Sequence, residues 1–178
     1  MKNSGGYRNL KSYQNATVIY DFTQEFCQKY VEKFSRTRDQ MQQAARSGKQ
    51  NIAEGSVASA TSKMTEIRLV NVARASLVEL LADYEDFIRQ GGFIQWPKDD
   101  PKAQQIRGLS YKTYMSYTTY RTYMTAPESA ANCALCLIYQ TLYLLDHQIQ
   151  SLEKSFLENG GYRENMYKKR NLKKDYDI

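Results

Sequence analysis

A chain of 178 residues can form one compact domain that buries roughly 70% of its unfolded surface, with no metal or disulfide required. No apolar run approaches the roughly 18 residues that span a bilayer, and Met1-Lys2-Asn3-Ser4-Gly5-Gly6 lacks the apolar core of a signal peptide, so a cytoplasmic protein without membrane segments is expected. The formal charge of +6 points to a polyanionic partner, while three cysteines, an odd number set in apolar helical patterns, point to buried reduced thiols.

Residues 1–12 read as a flexible basic arm carrying Lys2, Arg8 and Lys11, because Gly5-Gly6 and their polar flanks offer nothing to bury. A bundle is expected over 13–160. Its first helix is predicted from Tyr13 to Phe34, with Ile19, Phe22, Phe26 and Tyr30 inward and Ser35 or Thr37 capping the next helix.

The organising element is a hairpin of two amphipathic segments between Arg38 and Arg89, with a break predicted at Gly55 to Thr61. In the first segment the small residues Ala44, Ala45, Ser47, Gly48 and Ala53 surround two apolar anchors, Met41 and Ile52. Glycine inside a helix costs roughly 0.5–1 kcal/mol relative to alanine, so close packing of another helix is expected at Gly48. Gly55 is read as the helix stop, and Thr61 or Ser62 as the cap of the following helix. The second segment repeats Leu69, Ala73, Leu77, Leu80, Tyr84 and Phe87 at spacings of three and four, beside a row of Val70, Val78, Leu81 and Ile88. Two rows predict contact with neighbours on more than one side.

Gly91-Gly92 ends this helix, and residues 91–127 form an insertion: a loop with Trp96, Pro97 and Pro101, a short helix from Ala103 to Arg107 interrupted at Gly108, and a tyrosine row. Tyr111, Tyr114, Tyr117, Tyr120 and Tyr123 recur at every third position. On an α-helix each step of three advances about 300°, so the row winds around the helix, and the interleaved threonines leave an irregular or partly extended segment open. With Lys112 and Arg121 between them, the rings can stack on unpaired bases, or they cover bundle and subunit surfaces. Pro127 and Glu128 open the last helix, whose row Ile138, Leu142, Leu145, Ile149, Leu152 and Phe156 lies beside Ala130, Ala134, Leu137, Thr141 and Leu144. Gly160-Gly161 ends it, leaving a basic tail over 161–178.

Ala44-Ala45-Arg46-Ser47, Asn51-Ile52-Ala53-Glu54-Gly55 and Ala73-Arg74-Ala75-Ser76-Leu77-Val78-Glu79-Leu80 together resemble a four-helix bundle family. That family takes in proteins encoded in intervening sequences of bacterial large-subunit ribosomal RNA genes and the accessory variability determinant protein of diversity-generating retroelements. The likeness covers about residues 10–90, and the tail from Gly160 to Arg170 is similar to a suffix segment on one branch. The resemblance implies an all-α, up-and-down four-helix bundle, a homo-oligomer with a barrel-like pentamer favoured, and a reverse transcriptase as a possible partner.

Charge is unevenly spread. The arm and the residues 162–178 each carry +3, so 12–161 is neutral overall. Within it, 36–74 holds seven bases against three acids, and 79–100 six acids against two bases. This predicts a dipolar surface, suited to a nucleic-acid face, to head-to-tail subunit contacts or to plain solvated helices. Arg36, Arg38, Arg46, Lys49, Lys63 and Arg68 are the candidate phosphate-binding groove, extended by Lys168, Lys169 and Arg170 of the tail. Asn51, Glu54, Arg74, Ser76 and Glu79 form a candidate structural polar network, because Arg74 interrupts an apolar row and a buried charge needs a partner. Glu54 or Glu79 is expected to meet it, inside the hairpin or across a subunit contact.

Catalytic patterns are weak. Cys133 and Cys136 are spaced as a zinc or redox half-site with no second pair, and His147 is the only histidine. Asp146 points about 100° away from it around a helix, so spacing assembles no triad. Glu54, Glu79, Asp83 and Glu85 lack the Glu-x-x-His pairs of di-metal bundles, and no phosphate-cradling glycine loop is present. A non-enzyme without metal or cofactor is expected, acting as an oligomeric accessory protein that binds RNA or an RNA–DNA hybrid. The alternative is a scaffold that holds a polymerase or another protein through its helical faces.

Overall fold

A computed structural model of the chain describes residues 6–109, 116–161, 165–167, 170 and 171. Among them the protein is all-helical, without a strand. The α-helices are α1 (Lys11–Tyr30), α2 (Arg36–Ala58), α3 (Lys63–Gln90), α4 (Pro101–Leu109), α5 (Tyr117–Tyr120) and α6 (Pro127–Asn159), with 3-10 turns at Gly6–Asn9 and Arg121–Thr125. The count exceeds the four helices expected because the stretch 91–127 folds into helical pieces of its own. The four long helices touch in a cycle, α1 on α2, α2 on α3, α3 on α6 and α6 on α1, and α4 lies on α6. No described helix is long and apolar enough to cross a membrane.

Helix starts follow capping chemistry. The Ser35 hydroxyl accepts from the Thr37 N–H at 3.2 Å and Ser62 accepts from the Thr65 N–H at 3.2 Å, satisfying donors that a first turn leaves free. Pro127 opens α6, where its missing N–H costs nothing. At the end of α3, the N–H of Phe93 bonds to the Ile88 carbonyl and that of Gly92 to Arg89, with Gly92 at a φ of 66°. This is the Schellman closure, and glycine takes the left-handed position without strain.

Four boundaries differ from expectation, the first being α4, which runs from Pro101 through Gly108 to Leu109 instead of being interrupted at Gly108. Residues 6–12 are structured: the Tyr7 and Tyr13 rings meet edge-to-face at 4.7 Å, and the buried Ser12 donates to Gln148 of α6 at 2.8 Å. α1 stops at Tyr30, because Val31 is extended and Ser35 already caps α2, which leaves Phe34 on the surface. Gly55 does not stop α2, which continues to Ala58. A Cβ there would lie 3.3 Å from the Glu66 carbonyl and 3.4 Å from Leu69 and Val70, so this glycine brings α3 close. Gly48 serves the same purpose further along, as expected, since its Cβ would lie 2.8 Å from Leu77.

The core forms where the inner rows meet. Ile19, Phe22 and Phe26 of α1, Met41 and Ile52 of α2, Ala73, Leu77, Leu80 and Tyr84 of α3, and Leu137, Ile138 and Leu145 of α6 are all buried. Val78, placed in the second row of α3, is 41% exposed, so that row is buried only at Val70 and Ile88 and partly at Leu81. Phe26 sits at the aromatic centre, with ring centroids of Tyr84, Phe87 and Tyr30 at 4.8, 4.9 and 5.4 Å.

The loop after α3 is tied down by Asn132 of α6. Its side chain accepts from the Trp96 N–H at 2.7 Å and donates to the carbonyls of Ile94 at 2.8 Å and Glu128 at 2.9 Å. Asn132 is buried, so Asn132→Ala leaves two loop groups without their partner, each costing roughly 1–3 kcal/mol when water cannot replace it. We expect a loss of about 2 kcal/mol in urea unfolding and faster hydrogen exchange at the Trp96 amide. An unchanged midpoint would show that the loop is not anchored there.

The tyrosine row behaves differently from the α-helical reading. Tyr111 and Tyr114 lie outside the described residues. Tyr117 and Tyr120 sit on α5 and Tyr123 on the 3-10 turn that follows, where about three residues complete a turn and a step of three stays on one face. Tyr120 is fully buried, Tyr117 and Tyr123 pack on the core, and Tyr117 meets Phe22 edge-to-face at 6.2 Å. The Tyr120 ring is closed off from any base, and Tyr117 and Tyr123 are partly buried against the core.

Candidate nucleic-acid interface

The candidate cations divide by environment once the helices are in place. On α2, at about 100° per residue, Arg38, Lys49 and Arg46 fall within about 80° of one another and Arg36 about 80° beyond. This arc lies beside the buried stripe of Met41, Ala45, Gly48 and Ile52. Arg36 and Arg46 are exposed, Arg38 and Lys49 half-buried. The Lys49 ammonium stands 4.2 Å from the centre of the Tyr20 ring, so a cation–π contact holds it at the seam between α1 and α2.

Arg68 is exposed on the side of α3 opposite its buried row. Lys63 is neutralised at short range by Glu66, 2.7 Å away, whose side chain is nearly buried. Arg170 is exposed, and Lys168 and Lys169 lie outside the described residues. At 1.5 Å per residue, Arg36 stands roughly 33 Å along α2 from its far end, where α3 begins with Lys63 and Arg68. The six residues therefore line the length of the hairpin instead of converging on one point.

Folding also mixes charges that the linear sequence separates. Because α3 runs back along α2, its acidic second half returns to the basic first turns of α2. Arg38 and Asp83 both act on the buried thiol of Cys27, which burial pushes up to about 12, with Arg38 opposing and Asp83 adding. The Asp83 carboxyl is itself raised from its ordinary value, first by burial and then by Glu79 and Asp86. At this end of the hairpin the surface is therefore mixed, and at the other end Lys63 is paired with Glu66 and Glu54 is exposed.

The polar set splits in two. The Asn51 amide donates to the Ser47 carbonyl at 2.9 Å and hydroxyl at 3.1 Å, and Ser76 of α3 donates to that hydroxyl at 3.0 Å, so Asn51 and Ser76 join across the hairpin through Ser47. Arg74 does not meet Glu54 or Glu79 within the chain. Both glutamates are exposed, and the Arg74 Nε donates to Asp146 of α6 at 2.5 Å. Each partner keeps 43% of its side chain exposed, so the premise of a buried charge fails and the bridge contributes at most about 1 kcal/mol. Asp146 is 72 positions away and carries no sequence signal linking it to Arg74; only the contact of α3 with α6 brings the two together.

Nucleophile geometry is absent from the thiols. Cys27 and Cys133 are fully buried, and burial raises both thiols, as it does Cys136. A raised thiol is a poor nucleophile at neutral pH. The His147 Nδ1 lies 2.9 Å from the Tyr143 carbonyl on its own helix. No protein-family model, no curated protein and no solved structure matches the chain, so its functional reading rests on its own geometry.

Proposed function

We propose that the chain is a non-enzymatic accessory protein that binds RNA or an RNA–DNA hybrid through phosphate contacts, as a homo-oligomer built on an up-and-down four-helix bundle. The observation that carries this reading is the line of exposed cations along the α2–α3 hairpin, Arg36, Arg46 and Arg68, with Lys49 held by Tyr20 between α1 and α2. Cations spaced along a helical rod suit a regularly charged strand better than a single small anion. Oligomerisation is favoured by apolar side chains left outside the core, Val72 and Val78 on α3, which a second copy can cover. Assembly also multiplies a cation line that is short in one chain. The bacterial origin and the pentamer come from the family resemblance alone.

The test is a filter-binding titration against single-stranded RNA, duplex RNA and RNA–DNA hybrid at several salt concentrations. Each neutralised phosphate contributes about 0.7–0.9 to the slope of log affinity against log salt. The triple variant R36E/R46E/R68E is expected to lower the magnitude of that slope by about 2–3. Absence of binding at low salt would end the reading, as would a dispersed monomer in light scattering for its oligomeric part. The alternative, a protein scaffold, has its own support in the acids Glu79, Glu85 and Asp86 beside the uncovered Val78. A discrete protein partner such as a polymerase, retained after nuclease treatment, would favour it.

A further inference from the structure

A cavity of about 1180 Å3 opens between α6, α4, the loop 95–98 and the start of α1. It exceeds the roughly 300–1,000 Å3 typical of small-molecule sites, so a ligand of nucleotide size enters it with room for water. Its wall combines three features that the hairpin reading leaves unused. Trp96, Tyr139 and Tyr143 supply aromatic surface. Lys11 and Lys98 bring positive charge, and none of the described lining residues is a carboxylate. Asn15 is only 2% exposed, and its Oδ1 has no hydrogen-bond partner among the described residues.

A buried amide oxygen without a donor is costly, which marks Asn15 as a group awaiting an N–H or O–H from a ligand or from water. The oxygen is almost covered, so ligand contact requires a rotation of the amide about the Cβ–Cγ bond. The frame around it is held in place: Arg107 of α4 donates to the Lys98 carbonyl, and Asn132 anchors Trp96. Glu85 accepts from the Tyr139 hydroxyl at 2.9 Å and orients that ring without being part of the wall.

Flat aromatic walls, the unpaired Asn15 acceptor and cations with no carboxylate in the described wall select a planar ring that bears a hydrogen-bond donor and a negative charge. We infer that this cavity receives a nucleoside monophosphate unit, its base against the aromatic wall, a base N–H on Asn15 and its phosphate at Lys11 and Lys98. The unit is either a free nucleotide or an unpaired nucleotide of a bound strand. In the second form the inference rests on the function proposed above; in the first it does not.

The cavity carries its own reporters. Trp96 is the only tryptophan of the chain, and Cys136 lines the wall while Cys27 and Cys133 are fully buried. The intact protein is titrated with AMP and, separately, with a single-stranded hexaadenylate, following Trp96 fluorescence and the rate of maleimide labelling at Cys136. AMP is expected to change the fluorescence saturably and to slow labelling. Tyr143→Ala, on an exposed ring, and Asn15→Leu are each expected to weaken this at least tenfold. The same response to the hexaadenylate alone supports the site with a strand as the source. No response to either probe, or a response that neither variant weakens, overturns the inference. RNA retained on a filter with Trp96 fluorescence unchanged sinks the cavity site and leaves the proposed function standing; an AMP response without RNA binding does the reverse.

Discussion

Phe26→Ala is expected to remove roughly 3–5 kcal/mol of stability, the range for truncating a buried phenylalanine. Phe26 is fully buried, and its ring lies within 5.4 Å, centre to centre, of Tyr30, Tyr84 and Phe87, so it joins α1 to α3. Truncation leaves a cavity that Tyr84 cannot fill, because its hydroxyl is held by Thr23 at 3.0 Å. A loss of this size is a large fraction of the 5–15 kcal/mol that holds an ordinary domain together, counted as approximate totals. Urea unfolding followed by circular dichroism checks it, at one fixed protein concentration because assembly would couple to folding. Phe26→Leu, which keeps most of the volume, should cost less than about 1.5 kcal/mol. Equal losses for the two variants would mean that the aromatic cluster is not the centre of the core.

Gly48→Val is expected to cost about 3 kcal/mol, the upper end for forcing extra methyl groups into a packed interior. The conflict begins at the first carbon: a Cβ at Gly48 would stand 2.8 and 2.9 Å from Cδ2 and Cγ of Leu77, a side chain that is itself fully buried. Gly48→Ala sets two effects against each other. Alanine gains up to about 1 kcal/mol of helix propensity, and the same contact with Leu77 opposes it. A control separates them, since a Cβ at Gly108 in α4 meets nothing within 4 Å, so Gly108→Ala should show the propensity gain alone. In the pair of Gly48→Ala with Leu77→Ala, the double variant should be more stable than the sum of the single losses, because the shortened Leu77 makes room. Strict additivity would show that α2 and α3 do not touch at this point.

Helix identity, the main inward rows of α1, α3 and α6, the caps to within a pair of residues and the close approach at Gly48 were legible in the sequence, while the structure chose Ser35 and Ser62. The rows and caps depend on neighbours within about one helical turn, which spacing and residue type encode directly, and Gly48 stands out as a glycine in a helix interior. Gly55 was not legible, since a glycine near a helix end reads alike whether it stops the helix or admits another beside it. Only the position of Glu66 and Leu69 of α3 decides. Tyr117, Tyr120 and Tyr123 pack on the core, the last on a 3-10 turn whose period of about three matches the repeat, and that choice of helix type was open from the sequence.

Of the candidate interface, the residue types were readable, while their exposure and electrostatic company were not: Arg74, read as a buried charge, keeps 43% of its side chain exposed. Arg38 beside the influence of Asp83, Arg74 on Asp146, and the cavity that unites Asn15 with Trp96 and Tyr143 all join residues more than 40 positions apart. Sequence by itself determined the principal inward row of the long helices, because burial there follows local periodicity. Tertiary structure alone decided which charges meet, because Coulomb interaction depends on distance through space, and the antiparallel return of α3 along α2 sets that distance.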